Sequence, residues 1–244
     1  MSSIKESLST LVTFLETYRG RDKVIRLVTY GAMFLGGEGK TPRQQKWRKL
    51  SSEMSGCRVI LRLFDDLSML LYNMSTSFGL KEKGILKPLE LSIALFNQAY
   101  YPSEHLAWLR QKSLLAGSPT LFSLLGLIFW TLSLLGEIIK SFIKIRNLNL
   151  QAKNLHKQKA LDRDSVGYSS SQNAEIEEKL KAISRGKKDL VLLIIQHSSD
   201  FINAISWMPP GVLWAGMLKP STNGIIGTIG TVIMIYRNWP SKKT

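Results

Sequence analysis

Apolar residues recur at three- and four-residue intervals along most of the chain. Leu8, Leu11, Val12, Leu15 and Tyr18 form one helical face, with Thr10, Thr13 and Thr17 opposite. Gly20 interrupts, Asp22 is the predicted N-cap of the next helix, and Val24, Leu27, Val28, Gly31 and Leu35 make its apolar stripe. Arg26, Thr29 and Tyr30 lie away from that stripe. "GGEGK" reads as a loop, and Thr41 before Pro42 is a strong helix start. This third helix is predicted to run to about Met74, with Leu50, Met54, Cys57, Leu61, Phe64 and Leu71 on its apolar side. Arg58 and Arg62 stand at helical spacing from Asp65 and Asp66, so pairing across a turn is expected. Pro88 opens a further helix to Tyr101, and the chain is expected to break at Pro102 and restart. No strand alternation of useful length appears, so the predicted fold class is all-α.

Two stretches change the picture from a helical bundle to a membrane protein. Residues 113–136 contain no charge and would extend about 36 Å as a helix, enough for a bilayer core of about 30 Å. Lys112 and Lys140 flank them, as long cationic side chains do when they reach headgroups. Residues 220–236, uncharged up to Arg237, carry Gly224, Gly227 and Gly230 at every third position. Such small residues let helix backbones approach closely in lipid, which predicts a packing or oligomerisation face. Between these stretches, residues 140–188 hold twelve Lys and Arg against five acids and read as a solvated connection with two helical arms. Leu190 to Met208 is apolar but interrupted by Gln196, His197 and Asp200, which favours a membrane-proximal amphipathic helix over a clean span.

The predicted organisation is therefore an amphipathic, membrane-associated helical region (1–112), a transmembrane helix (113–139) and a charged helical loop (140–189). A membrane-proximal helix with a Pro-rich turn (190–219), a glycine-rich transmembrane helix (220–237) and a tail (238–244) follow. In this reading the C-terminal half is a membrane hairpin.

Thirty-three Lys and Arg against eighteen Asp and Glu give a formal charge of +15, which favours an anionic partner. The long uncharged runs select anionic lipid over nucleic acid, and the basic residues do not gather on one aromatic-bearing face as nucleic-acid readers require. One cysteine, Cys57, leaves no disulfide framework and no cysteine-based zinc site. His105, His156 and His197 are too scattered for a helical metal pair, and no serine sits in a nucleophile-elbow pattern. Glu104 and His105, being adjacent, point about 100° apart on a helix and make a poor acid-base pair. The glycine repeat is no nucleotide loop, since no strand precedes it. No catalytic residue, cofactor or metal is expected, and the chain does not read as an enzyme.

Three segments resemble the peroxin-eleven family of peroxisomal membrane proteins, in its gamma-type branch. "LVTFLETYRGRDKVIRLVTYGAMFL" is similar to the family's N-terminal signature, "FNQAYYPSEHLAWL" looks like its Tyr-Pro stretch, and "GIIGTIGTVIMIY" resembles its C-terminal glycine helix. The last differs from the common pattern at Gly230-Thr231 and Met234. The resemblance marks Tyr101, Pro102, Glu104, His105, Trp108 and Asp200 as motif residues without assigning them a role. It implies a multi-pass peroxisomal membrane protein with both termini toward the cytosol, which promotes elongation and tubulation before fission. It implies partners too: copies of the chain, related family members and the fission machinery.

In physical terms, Val24, Leu27, Val28 and Leu35 are expected to insert among acyl chains while Arg21, Lys23 and Arg26 sit in the headgroups, making a wedge. The competing arrangement packs the same stripe on Leu11 and Leu15 in a soluble bundle. Two other functions stay open: a solute pore lined by Gln196, His197 and Asp200, and a passive adaptor working through residues 140–188.

Overall fold

The computed structural model describes residues 2–163 and 170–240, and these are helical with connecting loops. The helices are α1 (Ser2–Glu16), α2 (Tyr18–Gly36), α3 (Pro42–Arg62), α4 (Asp66–Ser75), α5 (Leu86–Gln111), α6 (Thr120–Arg163), α7 (Ser170–Ser206) and α8 (Pro220–Asn238). Neighbours run antiparallel, with α5 on α6, α6 on α7, α7 on α8, α8 on α2 and α2 on α3.

Local chemistry moves several boundaries away from expectation. Thr17, not Asp22, caps α2: its backbone is extended and its hydroxyl accepts from the Gly20 amide at 3.0 Å. Gly20 sits in that corner because a Cβ there would overlap the Phe14 carbonyl. Thr41 and Gln44 form a full capping box ahead of Pro42, as the sequence predicts for the start of α3. The third helix does not reach Met74. It breaks at Leu63–Asp65, because Arg58 and Arg62 leave Asp65 and Asp66 for partners outside the helix: Arg58 Nε donates to Asp22 at 2.9 Å and Arg62 holds Glu104. α5 continues through Pro102, where the neighbouring Ser103 hydroxyl donates to the Ala99 carbonyl at 2.9 Å.

The apolar run begins in a loop, with Ser113 and Gly117 at positive φ, and becomes helical only at Thr120. From there α6 does not stop at the predicted span. It continues for 44 residues, and α7 returns beside it as one helix of 37 residues. Residues 140–188 are thus largely the outer parts of two long helices; the patch with Gly167 at 164–169 lies outside the described residues. Nor is 190–208 a separate element, since it is the inner half of α7. Among the described residues one helix, Thr120–Ala160, is long and apolar enough to cross a membrane; α8 does not reach that measure.

Side-chain burial is inverted relative to a water-soluble bundle. Among the described residues 16 buried side chains are polar or charged and 11 are apolar, and the largest fully buried side chains are Asn73, Asn203, Thr231 and Ser141. Large apolar side chains face outward instead: Leu121, Leu132, Leu135 and Ile139 on α6, Ile225, Ile229 and Val232 on α8, Val28, Phe34 and Leu35 on α2. Water would penalise that surface by roughly 25 cal/mol per Å², whereas acyl chains would not.

A buried ion pair as candidate functional site

The most charged point of the interior joins α2, α7 and α8. Arg26 is 6% exposed, Asp200 3% and Thr231 0%. The Arg26 Nη2 donates to the Asp200 carboxylate and its Nε to the Thr231 hydroxyl at 3.0 Å, while the guanidinium lies 5.3 Å from the centre of the Tyr30 ring. The Thr231 hydroxyl in turn donates to the Gly227 carbonyl at 2.6 Å. Arg26 of α2 and Asp200 of α7 therefore neutralise each other where both side chains are buried.

The three glycines make the approach possible. A Cβ at Gly224 would overlap the backbone of Phe34, and one at Gly227 would overlap the Tyr30 ring. At Gly230 it would come 3.1 Å from the Ser199 Cβ and 3.5 Å from the Asp200 carboxylate. Gly224 and Gly227 thus seat α8 on α2, and Gly230 seats it on α7. Of the two roles expected for this face, packing within the chain is the one that the described residues show.

Polar layers flank the pair. Toward the start of α8, Asn203 Nδ2 donates to the Asn223 carbonyl at 3.2 Å and the Ser206 hydroxyl to the Asn223 side chain at 3.2 Å. Toward its end, Arg237 clasps Asp189 with two bonds, of 2.7 and 3.1 Å, and reaches the Gln196 side chain at 3.3 Å. The hydrogen bond from Arg237 keeps the Asp189 carboxyl below its usual range. Gln196 and Asp200 are thereby occupied by Arg237 and Arg26, and of the three residues considered for a pore only His197 keeps a buried ring nitrogen, Nδ1, without a partner among the described residues.

The assignment of the basic residues of α2 to headgroups needs correction. Arg21 is exposed, but Arg26 is in the ion pair and Lys23 is buried with its ammonium directed to the Arg19 carbonyl at 3.4 Å. Helical spacing puts residues 23, 26 and 30 on one face, and it is the face that meets α8. Of the expected inserting face, Val28 and Leu35 are exposed, and Val24 and Leu27 are half-buried. α2 is thus a bundle helix with one outward apolar side, not a free-lying wedge.

The Tyr-Pro stretch ties α5 to α3. Arg62 grips Glu104 through Nε at 3.0 Å and through Nη2, and the Tyr100 hydroxyl donates to the same carboxylate at 2.7 Å. His105 turns the other way, with ring nitrogens 2.8 Å from the carbonyls of Tyr101 and Leu63. The 100° separation of Glu104 and His105 thus serves two structural contacts. Tyr101 packs edge-on against Tyr100 at 5.3 Å, Pro102 lies within α5, and Trp108 lines a cleft described below. Among the described residues no group of three or more His, Cys, Asp or Glu could hold a metal.

Residues 8–239 match the family described as Peroxisomal biogenesis factor 11 (PEX11). The chain belongs to the PEX11 family. Peroxisomal membrane protein 11C of Homo sapiens is 32% identical over 238 residues, covering 95% of this chain and 94% of the relative. Its Mus musculus counterpart is 34% identical over 233 residues, covering 93% and 92%. No solved structure matches. The gamma-type resemblance and the all-α membrane-protein fold both hold for this PEX11 chain. From the sequence, Thr231 stands out only as a departure in the last helix, Tyr30 only as lying away from the α2 stripe and Arg62 only as a partner for Asp65 and Asp66, while Asn203 has no signal at all. A signal for the first two was legible: Arg26 and Asp200 are opposite charges set among apolar positions, and such groups need partners when buried.

Proposed function

We propose that this PEX11 protein is a multi-pass component of the peroxisomal membrane that curves and elongates it, promoting proliferation and fission. The observation that carries the reading is the distribution of apolar surface. Helices α2, α6, α7 and α8 form an inverted bundle, and at the end where α2 begins two amphipathic helices show apolar faces with no protein against them. On α1 these are Ile4, Leu8 and Val12; beside and along α4 they are Phe64, Leu67, Leu71 and Met74. Arg19, Arg21, Lys83 and Lys87 are exposed near the same end. Apolar side chains among acyl tails and cations at headgroup level enlarge one leaflet relative to the other, and each fully buried Leu or Ile contributes roughly 1.5–3 kcal/mol. The wedge is thus assigned to α1 and α4. Crowding by self-association would add to the effect, and fission machinery would act on the resulting tubule.

The full chain reconstituted in anionic vesicles should draw tubules. Leu67→Asp with Leu71→Asp should leave the protein inserted and the vesicles round, because two charges cannot enter the acyl region cheaply. Undiminished tubulation by this variant would remove α4 from the mechanism. A second reading, an adaptor, is favoured by one feature: the outer parts of α6 and α7 project together as a basic helical pair, locked by Lys159 to Glu177.

A further inference from the structure

A cleft of about 1040 Å³ opens between α3, the ends of α5 and α7, and the start of α8. It is at the upper end of the size of small-molecule sites. Its walls are divided by chemistry. Met33, Leu61 and Leu218 are apolar; Arg48 and Lys112 are cationic and exposed; Glu53 is the single carboxylate among the lining residues. Arg48 spends one nitrogen on the Glu38 carbonyl at 3.0 Å, and Lys112 forms no ion pair among the described residues. At the inner wall Asn223 is 6% exposed. Its side-chain oxygen accepts from Ser206 at 3.2 Å, and the residue lines the cleft. A carboxamide at a cleft wall has N–H groups that can donate to a ligand oxygen. Trp108 and Trp207 border the same space, and tryptophan favours the level of lipid headgroups.

We propose that this cleft binds one membrane phospholipid, with its phosphate between Arg48 and Lys112, an amine-bearing headgroup toward Glu53 and an acyl chain along Met33, Leu61 and Leu218. A water-soluble anion would leave the apolar wall unused, and a fatty chain alone would leave the two cations unused. The inference rests on the chain lying in a bilayer, as proposed above.

The test uses the full chain in phosphatidylcholine nanodiscs containing phosphatidylethanolamine with a photoreactive acyl chain, the adducts being mapped by mass spectrometry. A Cβ at Gly56 on the cleft wall would meet nothing within 4 Å, so Gly56→Trp starts its indole in open space to occlude the cleft, and Gly56→Ala is its control. Expected is a saturable adduct on the cleft walls, one lipid per chain, cut about tenfold by Gly56→Trp and by the pair Arg48→Gln and Lys112→Gln, and untouched by Gly56→Ala. Adducts confined to the outward faces of α6 and α8, with none in the cleft, would overturn the inference and leave the membrane reading standing. Adducts in neither place would overturn the membrane reading as well. Competition by inorganic phosphate would show a free-anion site instead, and equal labelling by a phosphatidylglycerol probe would refute the headgroup assignment.

Discussion

At the scale of single residues, the structure turns on which side chains the interior can satisfy. Arg26 and Asp200 are each tolerable only because of the other, so their removal should be strongly non-additive. Arg26→Leu or Asp200→Leu alone strands a buried charge and should cost about 3–5 kcal/mol, while the double change to Leu should recover most of it. Thermal unfolding in detergent, read as a double-mutant cycle, measures this; additive losses would mean that the pair is not coupled. The glycines divide in the same way. Gly227→Leu must push Tyr30 aside and should loosen α2 from α8, whereas Gly31, where a Cβ meets nothing within 4 Å, should accept Ala with a gain of about 0.5–1 kcal/mol. If both glycines respond alike, spacing alone and not contact decides their role.

At the scale of elements, the all-α class and the capped start of α3 follow from periodicity and from Thr41-Pro42, because both are local signals. What periodicity cannot show is which side of an amphipathic helix faces lipid. Val28 and Leu35 look inward by the rules for water, and Arg26 looks outward; in an apolar solvent both reverse. The break at Leu63 was equally hidden, since it depends on Arg62 finding Glu104 forty-two residues away. Chain-long helices such as α7 were divided at Leu190 because composition changes there, although no helix breaker does. One element contact is titratable. Arg237 holds the Asp189 carboxyl below its ordinary range, so the contact is fully present above the ordinary carboxylate pKa of about 4 and is lost as pH falls through the lower folded value. Asp189 is 54% exposed, which keeps the contribution within about 0.2–1 kcal/mol. Amide exchange at the end of α8 should rise below about pH 4, and Asp189→Asn should flatten that rise. A rise of equal size in the Asn variant would assign it to another group.

At the scale of the whole molecule, the return of α7 along α6 decides where the ends lie. A hairpin of two crossings would put residues 140–188 on the side opposite both termini. Three contacts set where the ends lie, and the second of them is incompatible with that hairpin. Phe14 packs on Trp239 with ring centres 5.2 Å apart, which brings the end of α1 to the end of α8. Arg237 joins Asp189 at the root of the α6–α7 projection, and Lys140 joins Glu90 near the start of α5 at 3.1 Å. The loops at 37–41, 112–119 and 207–219 gather at the other end, where Trp130 stacks on Trp207 at 6.1 Å and Lys219 lies 3.5 Å from Glu38. If the bundle crosses the membrane as a unit, tags at the N-terminus, in the 164–169 connection and at the C-terminus should therefore share one side. A tag in the 112–119 loop should report the other. Protease added outside intact peroxisomes should remove the first three together and spare the fourth if the termini face the cytosol, and should do the reverse if they face the matrix. Both outcomes keep the three tags in step, because a fixed bundle cannot separate them. Digestion of the connection while both terminal tags survive would mean that α7 does not return along α6 in the membrane, and the buried pairing of Asp200 with Arg26 would fall with it.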